Sequence, residues 1–251
     1  MIIGHRGWRG KFPENSIFGF EELCRLGVYA VELDVVITKD KQLLVSHEPW
    51  FDGQYCESQF NQNLYRLSAS AIQEVDCGSR VDRRFPDQTK FKTVKPLFKD
   101  VIAVWDKLGI KPMIALEVKS ESHLYGSYQP FPEEFSQLLI DFEVKYLQGY
   151  DYFVQSFDAF FLKTYHKLKP NTKTGLLVEN TADIEKDLLL LNYTPNFYNP
   201  EHILLNDVSV NKILNFGCEI YTWTVNDEQD YTRLLDYPLK GIITDYPERF
   251  V

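Results

Sequence analysis

The sequence predicts an α/β fold: a single closed barrel of eight parallel strand–helix steps, the TIM-type (β/α)8 arrangement, spanning residues 1–251. Three observations predict it. Short apolar runs that read as buried strands alternate with helical patterns of about 10–15 residues, which implies parallel pairing. The chain length of 251 residues matches one such barrel, typically about 250 residues. Polar, titratable residues gather where the apolar runs stop, the position from which a barrel strand can face a pocket without breaking the core. Neither GxGxxG nor GxxxxGKS/T follows any strand, so a dinucleotide-binding sheet loses ground.

The first strand is Ile2-Ile3-Gly4, followed at once by His5-Arg6-Gly7. Pro13–Ser16 opens a helix with Ile17, Phe20, Leu23 and Cys24 on one face; Asn15 or Ser16 suits the N-cap and Gly27 the stop. The second strand, from Tyr29, ends at Glu32–Asp34. A turn at Thr38–Lys41 leads into Leu43–Ser46, which delivers His47-Glu48. Residues 49–93 then break the rhythm: polar, rich in Asn, Gln, Ser and aromatics, they read as an insertion after the second barrel strand, covering the pocket mouth, with a short helix near Ser68–Val75. The aromatics Trp50, Phe51, Tyr55, Phe60 and Tyr65 are expected to pack a small core of its own.

From Pro96 the alternation is regular. Helices are expected at 96–107, 132–147, 159–168, 182–191, 207–216 and 228–235. Strands are expected at 113–119, 152–155, 174–178, faintly at 196–199, then at 219–223 and 241–244. These later strands also end in polar groups: Glu117 and Lys119, Gln155, Trp223 with Asn226, and Thr244-Asp245.

Apolar residues make up 44% and charged residues 25%, an ordinary globular balance whose core is expected to stand without disulfides or structural metal. The net charge of −9 argues against nucleic acid, which requires clustered Lys and Arg. Cys24, Cys56, Cys77 and Cys218 are scattered without a CxxC pair, and are expected to form neither a disulfide framework nor a zinc site. No apolar run approaches the roughly 18 residues of a membrane span, so stable membrane insertion is not expected. The expectation is a cytoplasmic protein, with prior removal of a signal peptide left open.

Glu32 and Asp34 lie two apart, so on a strand they share a face. Two adjacent carboxylates repel unless a cation or shared proton lies between them. Oxygen-only ligands suit Mg²⁺, Ca²⁺ or Mn²⁺ better than zinc. Glu117 can supply a third oxygen. His5 and His47 titrate near neutrality, as acid–base chemistry requires, and Arg6 offers a fork for phosphate oxygens. Together these suggest hydrolysis of a phosphate ester.

The ordered series His5-Arg6-Gly7, Glu14-Asn15-Ser16, Val31–Val35, Val45-Ser46-His47, Leu116–Lys119, Gln155-Ser156-Phe157, Thr222–Asn226 and Ile243–Pro247 resembles the glycerophosphodiester phosphodiesterase family from His5 to Pro247. No single piece is specific; their order and spacing are. The resemblance implies that His5 and His47 are the acid–base pair and that Glu32, Asp34 and Glu117 hold one divalent cation, Mg²⁺ or Ca²⁺. It further implies that Arg6 and Lys119 contact phosphate and that Trp223 lines the pocket. The substrate would be a small phosphodiester, cleaved to glycerol 3-phosphate and an alcohol. Glu48 and Ser16 stand where many members carry Asp and Thr, changes that keep the chemical type. The alternatives are a lysophospholipase D-like or phosphoinositide phospholipase C-like activity, or a non-catalytic phosphate-ester binding protein. A lipid substrate needs an apolar lip at the pocket mouth, which the Asn, Gln and Ser of the insertion do not offer. Lys119 pairing with Glu117 is the structural alternative to phosphate contact, and Glu14, Asn15 and Asn226 read as helix caps.

Overall fold

The computed structural model describes residues 1–58 and 61–251. β1 (Ile2–Gly4) leads through a turn into α1 (Ile17–Arg25), capped by Ser16, whose Oγ accepts the Gly19 N–H at 3.1 Å. β2 (Ala30–Ile37) and β3 (Leu43–Val45) form an antiparallel hairpin that pairs Val35 with Val45. The second strand was expected to end at Glu32–Asp34. It continues for three more residues, because Val35, Val36 and Ile37 find hydrogen-bonding partners on β3. Within the insertion lies α2 (Ala69–Ile72), preceded by a 3-10 turn at Leu64–Arg66.

The regular alternation follows. It comprises α3 (Phe98–Leu108), β4 (Met113–Val118), α4 (Pro132–Tyr146), β5 (Tyr152–Ser156), α5 (Ala159–Leu168) and β6 (Thr174–Val178). Then come α6 (Ile184–Leu191), β7 (Phe197–Pro200), α7 (Asp207–Asn215), β8 (Tyr221–Thr222), α8 (Glu228–Leu234) and β9 (Gly241–Thr244). Parallel pairing runs β7-β6-β5-β4-β2-β1-β9-β8. Single bridges, Phe197 to Glu219 and Glu201 to Trp223, join β7 to β8 and bring the ring of eight strands round on itself. β3 stands outside the ring, on the edge of β2.

The barrel interior explains where the site must lie. Ile3, Ala30, Ala115, Phe153, Phe197, Tyr221 and Ile243 form an apolar plug, one residue from each of seven strands. Side chains alternate along a strand with period two, so the residues two positions on share the same inward face. Those residues are His5, Glu32, Glu117, Gln155, Asn199, Trp223 and Asp245. On β6 the plug position is Gly175, where an added Cβ would fall 2.7 Å from Nδ2 of Asn199. The missing side chain leaves room for that amide, which donates to Oε1 of Gln155 at 2.9 Å. A polar layer thus sits directly above an apolar one.

The larger core lies outside the strands, between ring and helices, around Phe20, Leu33, Trp105, Leu116, Phe135, Phe161 and Ile220. The insertion has its own cluster: Phe51, Tyr55, Cys56, Leu64, Ile72 and Cys77 pack with Val36 and Leu44 of the hairpin. Trp50 meets Tyr128 edge to face, and Phe60 lies outside the described residues. Cys56 and Cys77 form a disulfide, which corrects the expectation that the cysteines form none. They are 21 residues apart, and the chain fold that brings them together leaves no mark in their spacing. Disulfides persist in oxidising compartments, which weighs against the cytoplasmic expectation. Cys24 and Cys218 are free and buried. Among the described residues no helix is long and apolar enough to cross a membrane.

Candidate active site

One oxygen each from Glu32, Asp34 and Glu117 lie within 4.8 Å of one another, on β2 and the adjacent β4. Register explains the meeting, since Asp34 pairs with Glu117 across the two parallel strands. The side chains are nearly inaccessible, at 2%, 1% and 9% exposure. Burial, reinforced by the charges of Asp34 and Glu117, raises the Glu32 carboxyl well above its ordinary range. Burial also raises Glu117, against the opposing Lys119. On Asp34 burial is outweighed by Arg6, and its carboxyl is lowered. Oε1 of Glu32 and Oδ1 of Asp34 are buried without any hydrogen-bond partner. Such orphaned acceptors, on three carboxylates drawn together, fit a hard cation held by oxygen.

Two imidazoles flank the cluster. His5 Nδ1 lies 2.7 Å from Oδ1 of Asp245, and its Nε2 lies 3.9 Å from Oε2 of Glu32. His47 Nδ1 lies 2.7 Å from Oε1 of Glu48, and its Nε2 is 3.1 Å from Nζ of Lys119. A carboxylate on Nδ1 fixes the tautomer that leaves Nε2 free to accept a proton. Burial lowers the pKa of both rings, opposed at His5 by Asp245 and reinforced at His47 by Arg6.

Arg6 takes a left-handed backbone conformation, φ +52°, which aims its N–H at Oε2 of Glu32, 2.9 Å away. Its guanidinium reaches Glu14 at 3.1 Å and Asp34 at 3.5 Å. Gly7 follows at φ +87° with Phe20 packed against it, a turn only glycine makes without strain. Lys119 Nζ donates to Glu117 at 2.6 Å as well as touching His47, so it is both an ion pair and a pocket-facing cation. Trp223 is half-buried, donates to the Asn199 carbonyl at 2.9 Å and meets Phe157 edge to face. His5, Arg6, Glu32, His47, Glu117, Lys119 and Trp223 line a cavity of about 580 Å³ together with Arg9, Arg84, Glu121, Phe157 and Glu179; Asp34 does not.

Several residues were misread from sequence. Ser16 is the cap of α1, which frees Asn15 to donate to Asp34 at 2.9 Å and Glu14 to anchor Arg6, Arg9 and Arg84. Burial notwithstanding, those arginines hold the Glu14 carboxyl well below its usual range. Asn226 is not a cap either: Asp227 is, and Asn226 donates to Oδ2 of Asp245 at 2.8 Å. The usable signal for Asp245 was its place two residues beyond Ile243 of the plug.

The geometry agrees with what comparison finds. The glycerophosphodiester phosphodiesterase of Bacillus subtilis is 26% identical over 255 residues, covering 100% of this chain and 85% of that protein. A structure from Silicibacter pomeroyi, 25% identical, superposes with a TM-score of 0.88 over 99% of this chain and 90% of that one. An Oleispira antarctica phosphodiesterase solved with the product sn-glycerol-3-phosphate shares the fold, with a TM-score of 0.81 at 21% identity over 99% and 94% of the two chains. The family signature matches residues 5–249, nearly the whole barrel. The chain belongs to the glycerophosphoryl diester phosphodiesterase family and is an enzyme of that class.

Proposed function

We propose that this pocket hydrolyses glycerophosphodiesters to glycerol 3-phosphate and a free alcohol, with His5 and His47 as the acid–base pair. The observation that carries the reading is the pair of carboxylate-anchored imidazoles on either side of three converging carboxylates. Glu32, Asp34 and Glu117 would hold Mg²⁺ or Ca²⁺; bound there, the ion supplies positive charge to a phosphoryl oxygen and acidifies a neighbouring hydroxyl. Nε2 of one histidine takes the proton of the attacking hydroxyl, and Nε2 of the other delivers a proton to the departing alcohol. Lys119 and Arg6 stabilise the charge spread over the phosphoryl oxygens. Trp223 and Phe157 form the apolar wall on which the alcohol or glycerol rests. The Cys56–Cys77 disulfide favours an oxidising compartment over the cytoplasm as the place of this reaction.

The test is turnover of glycerophosphocholine with added Mg²⁺ or Ca²⁺ and a chelator control. His5→Ala and His47→Ala should each lower kcat by about 10²–10⁴-fold while the thermal midpoint stays put. Near-normal turnover in either variant, or activity indifferent to chelation, refutes the assignment.

A further inference from the structure

Just past the insertion, where the chain rejoins the barrel, stands Lys95. Leu97 bridges Leu44 of β3 in antiparallel fashion and the Val45 N–H donates to the Pro96 carbonyl at 2.8 Å, so the register sets Lys95 opposite Ser46. The side chain is buried, with only 6% of the residue exposed. Its Nζ donates to Oγ of Ser46 at 2.8 Å and lies 5.5 Å from the centre of the Tyr55 ring. Among the described residues it has no other hydrogen bond and no ion pair with a carboxylate. Burial lowers its pKa, against the more distant charges of Glu14, Glu48 and Asp34. A buried ammonium so poorly matched costs stability, and an apolar side chain of similar shape would pack there without that cost. The fold alone gives no reason for a lysine at this position; Ser46 does.

An ammonium can only donate, so the Ser46 oxygen must accept from it and turn its own proton elsewhere. That proton goes to the Glu48 carbonyl, at 2.7 Å, while the Ser46 N–H donates to the Asp34 carbonyl at 3.0 Å. The two bonds hold the backbone on both sides of His47, whose Nδ1 rests against Oε1 of Glu48. We infer that Lys95 is a positioning residue for the acid–base step: through Ser46 it holds the turn that presents His47 to the substrate. The inference rests on His47 being one of the catalytic pair. Lys95 is not among the residues that line the cavity, so its effect belongs to the placement of the imidazole and not to the binding of the diester.

The experiment follows release of choline from glycerophosphocholine in the presence of Mg²⁺ or Ca²⁺. Lys95→Met keeps the length of the side chain and removes the donor. Its kcat should fall about tenfold to a hundredfold, the scale of a displaced catalytic group, with KM within about twofold of wild type. Its thermal midpoint should hold or rise, because a buried charge is gone. A residue that only braces the fold would lower the midpoint. Ser46→Ala, a second route to the same turn, should lose kcat to a similar extent, and adding Lys95→Met to it should cost little more. In a His47→Ala background Lys95→Met should leave the residual turnover within about twofold, since no imidazole remains to be placed. An unchanged kcat, a lower midpoint in Lys95→Met, or losses that add in either background overturn the inference. So does a raised KM with kcat intact, which would trace to Tyr55 and the arginines on Glu14 instead. A wild-type-like Lys95→Met beside a crippled His47→Ala removes this inference alone, whereas normal turnover in His47→Ala removes the acid–base reading with it.

Discussion

His5 stands between two opposing influences: burial lowers its pKa, while Asp245, 2.7 Å from Nδ1, raises it. Asp245 is itself held in place by Asn226 and by Arg9 at 3.5 Å, and despite its burial these groups and His5 keep its carboxyl low. Replacing Asp245 by Asn removes the raising influence and the preference for the Nε2-basic tautomer. We expect kcat to fall about 10²-fold or more with KM little changed. His5 sets the acid limb of the pH profile if it is the base and the alkaline limb if it is the acid; in Asp245→Asn the limb it sets should move to lower pH. A kcat/KM profile in which neither limb moves would show that the two groups are not coupled. Asn226→Ala, which removes a support of Asp245 and not the carboxylate, should follow the same direction with a smaller loss.

The elements that carry the site differ in how visible they are in sequence. β4, α5, β6 and β9 are legible because each is a short apolar run or amphipathic stretch bounded by turn residues. β8 shrinks to Tyr221–Thr222, since its neighbours Glu219 and Trp223 bridge β7 singly. Ser16, one of the two expected caps of α1, is the cap, while the cap of α8 lies one position on from Asn226, at Asp227; reading Glu14, Asn15 and Asn226 as caps hid their contacts from view. Which of several adjacent polar residues caps a helix depends on backbone angles, such as φ +55° at Asn15, that composition does not reveal. The insertion shows the limit most plainly, because Cys56 and Cys77 meet only through tertiary folding. Their bridge closes a loop spanning 21 residues, and Tyr55 beside it donates to Oε1 of Glu14 at 3.1 Å. In a chain-entropy view, Cys56→Ser with Cys77→Ser should cost about 3 kcal/mol, or about 5–10 °C in thermal midpoint. Reduction of the wild type should reproduce the fall. Glycerophosphodiester turnover should weaken mainly through KM, because Glu14 then holds Arg6 and Arg84 less firmly. An unchanged midpoint after confirmed reduction would deny the insertion this structural role.

At the scale of the whole barrel, the period-two alternation that packs Ala30 and Ala115 into the plug forces Glu32 and Glu117 into one buried layer with Asp34 above. That layer concentrates negative charge where water cannot solvate it. Its sign follows from the shifts. Glu32 and Glu117 are raised in the folded state, so their contribution favours folding at low pH and is lost as pH rises past the ordinary carboxylate range toward their folded values. His5 and His47 act oppositely: lowered in the fold, they contribute above about pH 6.5 and lose that contribution as pH falls. The raw pH profile of stability therefore mixes the two, whereas the increment produced by a cation isolates the carboxylates. At about 100 times its dissociation constant, Mg²⁺ or Ca²⁺ should stabilise the protein by about 2.7 kcal/mol, or about 5–10 °C for a chain of this size. The increment should shrink on acidification, because protons compete for Glu32 and Glu117 with the ion. Glu32→Gln should raise the cation-free midpoint at neutral pH, since it removes a charge the fold resists, and should abolish most of the cation increment. Differential scanning calorimetry with and without ion between pH 5 and 8 reads all three quantities. A Glu32→Gln protein that melts lower than wild type without ion, or that keeps the full increment with it, would mean that the three carboxylates do not act on a common cation.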